Sequence, residues 1–286
     1  MHFQGGIIMK IKRWIAFGIG TLLIIMLLWI YGSFNGLITS KLWVKHCANG
    51  YIQEHYKEYD FQLNEVNYNF KDGLYNAKIV SPTSEDSTFS LAYDWTGKLI
   101  WNSYEENVIE KWNTMQRIDM QYRKYTDQVI VSKDFPFSDS EICFGSIQWK
   151  DEIETMRDGT LLYEPFGLDK TQIKLDQQFD SNELGREAGY LVIYVQDDEV
   201  SIKKAASLLL ELKTYMDQRK VLFHAVDFHL QKTSSGHQES SERIDLIKFM
   251  YKDIKAEEID EKIEKCLTIT KQYYEEKDHE KAEEMY

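Results

Sequence analysis

The run Trp14–Tyr31, WIAFGIGTLLIIMLLWIY, is eighteen residues long and holds no charged side chain. As a helix at ~1.5 Å per residue it spans about 27 Å, close to the hydrocarbon thickness of a bilayer. Trp14 stands at one end and Trp29 with Tyr31 at the other, where amphipathic rings prefer the membrane–water interface. Lys10, Lys12 and Arg13 precede the run, with no acidic residue before it. The positive-inside rule then predicts a cytoplasmic N-terminus, residues 1–13, a transmembrane helix, 14–31, and the rest of the chain outside the cytoplasmic membrane. A cleaved signal peptide would share the basic flank, but its apolar core is shorter and a small-residue site follows it. The exit here reads YGSFNGLITSKLW, so an uncleaved anchor is the expectation. Cys47 lies in VKHC, where Lys45 and His46 replace the small residues that lipid attachment requires. Met9 is an alternative start, because MHFQGGII does not read as structured sequence.

Charge narrows the partners. Of a net −13, residues 134–286 contribute 20 basic and 34 acidic side chains. Phosphate backbones need basic contacts, so nucleic acid is excluded as a partner. Anionic lipid heads should repel such a chain, so bilayer contact is expected through residues 14–31 alone. Three prolines and fifteen glycines leave no room for a long disordered linker. Cys47, Cys143 and Cys266 form no disulfide framework. Cys143 falls in an apolar strand and Cys266 on an apolar helix stripe, which predicts two buried thiols, with a Cys143–Cys266 bridge as the alternative.

The remaining pattern predicts two α+β domains, 32–133 and 134–286. In the first, a helix over 41–59 precedes four strands. The alternation of Phe61–Phe70 changes phase near Asn64–Glu65, which predicts a bulge. Asp72-Gly73 is a hairpin signal, followed by strands at 74–81, 88–93 and 98–102. Ser103 and Glu106 match a capping box, predicting a long helix to about Val131. The outer strands, 61–70 and 98–102, are edges that Glu65, Lys98 and Asn102 guard, with pairing to an extended peptide as the alternative. FPFS, with Pro136, opens the second domain. It reads as strands at 142–149 and 189–196, the latter covered on both faces. A short strand at 160–163 and a short helix at 182–187 lie between them. A helix capped by Ser201 follows, then strands at 221–231 and 243–251 around the polar loop TSSGHQESSE. A last helix, about 256–280, buries Ile259, Ile263, Leu267 and Thr270. The second domain is therefore a helix-and-antiparallel-sheet sandwich.

Several strings resemble one family. SFNG after the span, then YNFKDGLYNAKIVSP, DWTGKLIW and SYE, and later GYLVIYVQDDEVS, FHAVDFHL and KDI, are similar to the YfjL-like proteins of Gram-positive bacteria. The resemblance covers most of residues 10–275. It departs at Leu37-Ile38, where that family has a proline after FNG. It implies the anchor and the two-domain layout and carries over no functional residue. The helix-plus-meander half is also similar in outline to PepSY-type extracytoplasmic modules.

Candidates for chemistry are few. Asp227 and His229 alternate onto one face of VLFHAVDFHL, with His224 on the other, and an i, i+2 pair of this kind can ligate a metal. No H-E-x-x-H or cysteine pair supplies a third ligand, so structural polar groups are the expectation. Ser201-Ile-Lys-Lys204 matches S-x-x-K, and Lys232-Thr233-Ser234 is close to K-T-G, but S-D-N is missing and Ser201 has work enough as a helix cap. Asp176, Asp180 and Glu183, or Asp197, Asp198 and Glu199, lack the alternating pattern of a calcium loop. The chain thus reads as a non-enzymatic extracytoplasmic interaction or regulatory module, taking no cofactor, with an envelope protein or peptide as its partner. The alternative is a cell-envelope hydrolase or metal-binding protein using Asp227 and His229.

Overall fold

The computed structural model describes residues 3–137, 140, 142–233 and 242–284. The side chains of Lys10, Lys12 and Arg13, and loop residues 234–241 with Ser234, lie outside what is described. The chain is α+β and divides into two units, Met1–Asn113 and Thr114–Tyr286.

The first unit begins with helix α1 (Phe3–Asn35), which contains the apolar run. Trp14, Phe17, Leu22 and Trp29 on it are all exposed. Gly36, at φ +69°, ends the helix, because a left-handed residue cannot continue it. Helix α2 (Ile38–His55) then buries Val44, Ala48 and Ile52, three positions at a four-residue spacing on one stripe. They cover one face of an antiparallel meander in the order β1 (Gln62–Asn69), β2 (Leu74–Val80), β3 (Thr88–Tyr93), β4 (Leu99–Asn102). Ala77, Ile79, Phe89 and Leu91 form the sheet's side of this core. The pairing of β1 with β2 shifts between Leu63 and Glu65, where the change of phase predicts a bulge. Gly73 takes φ +74° in the β1–β2 turn, and the Asp72 carboxylate accepts the Leu74 N–H.

The helix expected from Ser103 to Val131 is broken. A π-helical turn occupies Glu105–Ile109, Lys111 takes φ 64°, and α3 runs Trp112–Ile130. The capping box does not form. Ser103 Oγ instead accepts the Ser90 N–H at 2.9 Å, joining the end of β4 to β3. From Thr114 onward α3 belongs to the second unit. Met115, Ile118 and Tyr122 pack with Ile147, Trp149 and Leu184 there, and Ile130, Phe135 and Phe137 enter that unit's main core. The domain boundary therefore falls at 113/114 and not at 133/134. α3 ends at Ile130, six residues before Pro136, and the segment around Pro136 lies inside the second unit with Phe135 and Phe137 in its core.

The second unit continues with β5 (Cys143–Ile147), α4 (Ser181–Glu187), β6 (Gly189–Asp197), α5 (Ile202–Gln218), β7 (Ala225–Lys232), β8 (Arg243–Met250) and α6 (Ile259–Glu284). The sheet order is β5-β6-β7-β8, with β6 and β7 parallel and the outer pairs antiparallel. A parallel pair needs a crossover, and α5 supplies it. Ser201 caps α5 by accepting the Lys204 N–H. Leu209, Leu212 and Met216 on α5 are fully buried in one core with Leu191, Ile193, Val226 and Phe228. Residues 160–163 form no strand; the region holds isolated bridges between Thr155 and Leu161 and between Trp149 and Leu168. Gly185 sits so near the Leu222 carbonyl that a Cβ would stand 2.0 Å from its oxygen. Cys47, Cys143 and Cys266 are all free. Burial pushes the Cys266 thiol up to about 11 and the Cys143 thiol up to about 12.

Candidate functional site: the polar face of the second sheet

Strand alternation sends Val226, Phe228 and Leu230 of β7 into the core with α5. Asp227 and His229 therefore share the opposite face, as the i, i+2 spacing predicts. They do not converge on one ligand. His229 lies in register with Tyr194 on β6 and Asp245 on β8. Its ring stacks on Tyr194 at 4.2 Å, and its Nδ1 is 2.8 Å from Asp245 Oδ1. The other Asp245 oxygen pairs with Arg243 Nε at 2.8 Å.

Asp227 belongs to a second arrangement, made by a bulge. Val226 pairs with Phe249 and Phe228 with Leu246, so two β8 residues stand opposite Asp227. Lys248, one of them, takes φ 47°. That backbone aims both its N–H and its ammonium at the carboxylate, at 2.6 Å to Oδ1 and 2.5 Å to Oδ2. The Lys248 Nζ also lies 3.6 Å from the centre of the Tyr190 ring. Burial raises the Tyr190 hydroxyl above its ordinary value, and Asp227 adds to the rise. Ser146 Oγ donates to Asp119 Oδ1 at 2.6 Å near the other edge of the sheet.

Sequence spacing alone does not reveal Lys248, Asp245 or Tyr190. The spacing gives a shared face, while the partners come from register and from the bulge. Asp227 is fully engaged by one lysine, and His229 is oriented by a different carboxylate. Among the described residues no group of three or more His, Cys, Asp or Glu side chains is placed to hold a metal ion. His224 lies apart, stacked on Phe166 at 4.5 Å with Nδ1 2.7 Å from the Arg186 carbonyl oxygen. A cleft of about 530 Å³ opens beside the sheet, walled by Arg243, Asp245, Thr270 and Tyr274. Neither Asp227 nor His229 lines it.

The other candidates are occupied. Ser201 Oγ caps α5 and donates to Glu199 Oε1 at 2.6 Å, and Lys204 Nζ pairs with Asp197 at 2.8 Å. Lys232 pairs with Glu242 at 2.8 Å. Asp180 Oδ1 accepts the N–H groups of Asn182 and Glu183 as the cap of α4.

These features define a class: two α+β units behind one exposed helix that is long and apolar enough to cross a membrane, by length and composition. Two family models match the chain. One, described as YfjL-like, N-terminal domain, matches residues 11–103, and the other, described as YfjL-like C-terminal domain, matches residues 121–264. The chain belongs to the YfjL-like family. No curated protein and no solved structure matches it.

Proposed function

We propose that this chain is a non-enzymatic interaction or regulatory module, anchored in the cell membrane by residues 14–31, with both α+β units on the extracytoplasmic side. The observation that carries this reading is the pairing on the polar face of the second sheet. The two residues best suited to chemistry, Asp227 and His229, are each held by a neighbouring strand. The exposed apolar helix, with Lys10, Lys12 and Arg13 before it, supports the anchor and its direction. An extended peptide from an envelope protein is the proposed partner, added along the β4 edge of the first sheet through backbone hydrogen bonds. Ile100 on that edge is half exposed.

Two measurements test this. Surface protease on intact wall-stripped cells should digest residues beyond about 40, and full protection until lysis would overturn the orientation. Cross-linking from intact membranes should capture a partner that Ile100→Pro loses, provided circular dichroism shows that variant folded, while Asp227→Ala and His229→Ala keep it. Loss of capture with either alanine, and not with the folded proline variant, would place the binding site in the second unit and refute the β4 edge.

A further inference from the structure

The end of the first unit from which α1 departs carries apolar side chains that its core does not use. The Phe34 ring, at the end of α1, lies 5.6 Å from the ring of Phe70 in the β1–β2 turn. Ile38 and Leu42, one turn apart on α2, are 71% and 64% exposed. Trp43 donates its Nε1–H to the Thr96 carbonyl at 2.7 Å, which ties α2 to the β3–β4 turn. Trp95 in that turn is 69% exposed. Successive antiparallel strands reverse direction, so the β1–β2 and β3–β4 turns stand at the same end of the meander. Gly36 and Leu37 alone separate α1 from α2.

This apolar exposure is graded. The large apolar side chains exposed on α2, Ile38, Leu42 and Trp43, all lie near α1, beside the exposed Thr39, Lys45 and His46, while beyond Cys47 the exposed positions are Asn49, Gly50, Gln53, Glu54 and His55. A helix exposed only to water would carry polar groups outward along its whole length. Charge follows the same gradient. Lys41, Lys45, Lys71 and Lys98 lie on this part of α2 and in or beside the two turns. Asp72 and Asp94, the acidic residues there, are spent on their own turns. Asp72 accepts from Asn69 Nδ2 and the Leu74 N–H, and Asp94 from the Thr96 and Lys98 N–H groups. The acidic balance of the whole chain reverses at this end.

We propose that this end of the first unit is seated in the headgroup region of the leaflet that α1 leaves, with aromatic rings at the interface and lysines on anionic lipid heads. The proposal rests on residues 14–31 being the anchor. Membrane contact then extends past the span to α2 and two turns, and it fixes the height at which the unit stands. The bilayer is the occupant because the chain runs from Tyr31, the last residue of the span, to Phe34 and Ile38 of the patch within seven residues, and because the patch combines aromatic rings with positive charge.

The test uses the full chain with Cys47, Cys143 and Cys266 replaced by alanine, carrying a fluorophore on Lys71→Cys or on Glu85→Cys. Each is reconstituted in vesicles of mixed zwitterionic and anionic phospholipid containing a nitroxide-headgroup lipid. Lys71 is in the β1–β2 turn and Glu85 is beyond the far end of the seven-residue β2. At ~3.3 Å per residue the labels stand about 20 Å apart, so quenching at position 71 should exceed that at 85 by about threefold or more. Adding Ile38→Ser, Leu42→Ser and Trp95→Ser should bring it down towards the level at position 85, with vesicle retention unchanged. Equal quenching at the two positions in a vesicle-retained chain would overturn the proposal and leave the anchor intact. A triple variant quenched as strongly as its parent would also overturn it. Release of the unsubstituted chain from vesicles by alkaline carbonate would instead overturn the anchor. Shielding of the Lys71 label from iodide in detergent that grows with protein concentration would show a second copy on the patch and refute the bilayer as its occupant.

Discussion

Truncating Asp227 should destabilise the second unit far more than removing Asp227 and Lys248 together would suggest. The two side chains are 15% and 10% exposed, and the carboxylate takes both the N–H and the ammonium of Lys248. Asp227→Ala leaves that ammonium against the Tyr190 ring without its hydrogen-bonded carboxylate, with Glu152 as a remaining nearby negative charge. Breaking a buried pair from one side costs about 3–5 kcal/mol. Asp227→Ala with Lys248→Met removes both charges, and what remains is the Lys248 N–H without its acceptor, about 1–2 kcal/mol. Lys248→Met alone leaves a carboxylate that keeps one backbone donor, at about 2–4 kcal/mol. The coupling between the two changes is therefore about 3 kcal/mol or more. Urea unfolding of the detergent-solubilised chain measures it through Trp149, which is buried in this unit. Single-variant losses below about 1 kcal/mol, or a double variant whose loss is the sum of the singles, would refute the pairing argument. Loss of an enzymatic activity in a fully stable Asp227→Ala protein would favour the hydrolase alternative.

Two further predictions concern the same unit. A fragment 114–286 should unfold cooperatively, whereas 134–286 should not, because it lacks Met115, Ile118 and Tyr122 of the α3 packing; far-ultraviolet circular dichroism against urea distinguishes them. The Cys266 thiol, held up to about 11 by burial, should alkylate at least about a hundredfold more slowly at pH 8 than an unfolded-state thiol. Its folded value lies above the unfolded one, so the stability it contributes is complete below about pH 8.5 and is lost as pH rises through about 11. Cys266→Ala should flatten that part of the pH–stability curve.

Elements with strong local causes were legible in the sequence. The Asp72-Gly73 turn, the bulge after Leu63 and the Ser201 cap each depend on a few adjacent residues, and each is present. Periodicity located α2, α5 and α6 for the same reason. The failures share the opposite cause. Ser103 and Glu106 satisfy the capping-box pattern, but Ser103 Oγ is claimed by Ser90, thirteen residues earlier. Pro136 stands six residues past the end of α3, at a place where Phe135 and Phe137 still enter the core that α3 joins. In both cases a distant partner outweighed a local preference. A net charge summed over the chain likewise leaves out where charge lies, such as the four lysines around the first unit's apolar end.

The site follows the same logic. An i, i+2 pair on a strand specifies only a shared face, and what a polar side chain can do there depends on its neighbours across the sheet. For His229 those neighbours come from regular register, so the row Tyr194–His229–Asp245 crosses three strands without distortion. For Asp227 they require an irregularity. Regular pairing puts one β8 residue opposite it, and its side chain alone would have to reach the carboxylate. The extra residue supplies a backbone N–H as well and places Lys248 in the left-handed region, at a cost of about 1–3 kcal/mol. A fold keeps such strain only where the surroundings repay it, and here the return is a carboxylate and an ammonium neutralised together on a mostly covered face. Lys248→Gly separates the two contributions, since glycine accepts φ 47° freely while removing the charge. If that variant loses as much stability as Lys248→Met, glycine relieves nothing at φ 47° and the strain argument is refuted. If it is more stable than Lys248→Met by about 1 kcal/mol or more, the strain is real and the ion pair is what holds it in place.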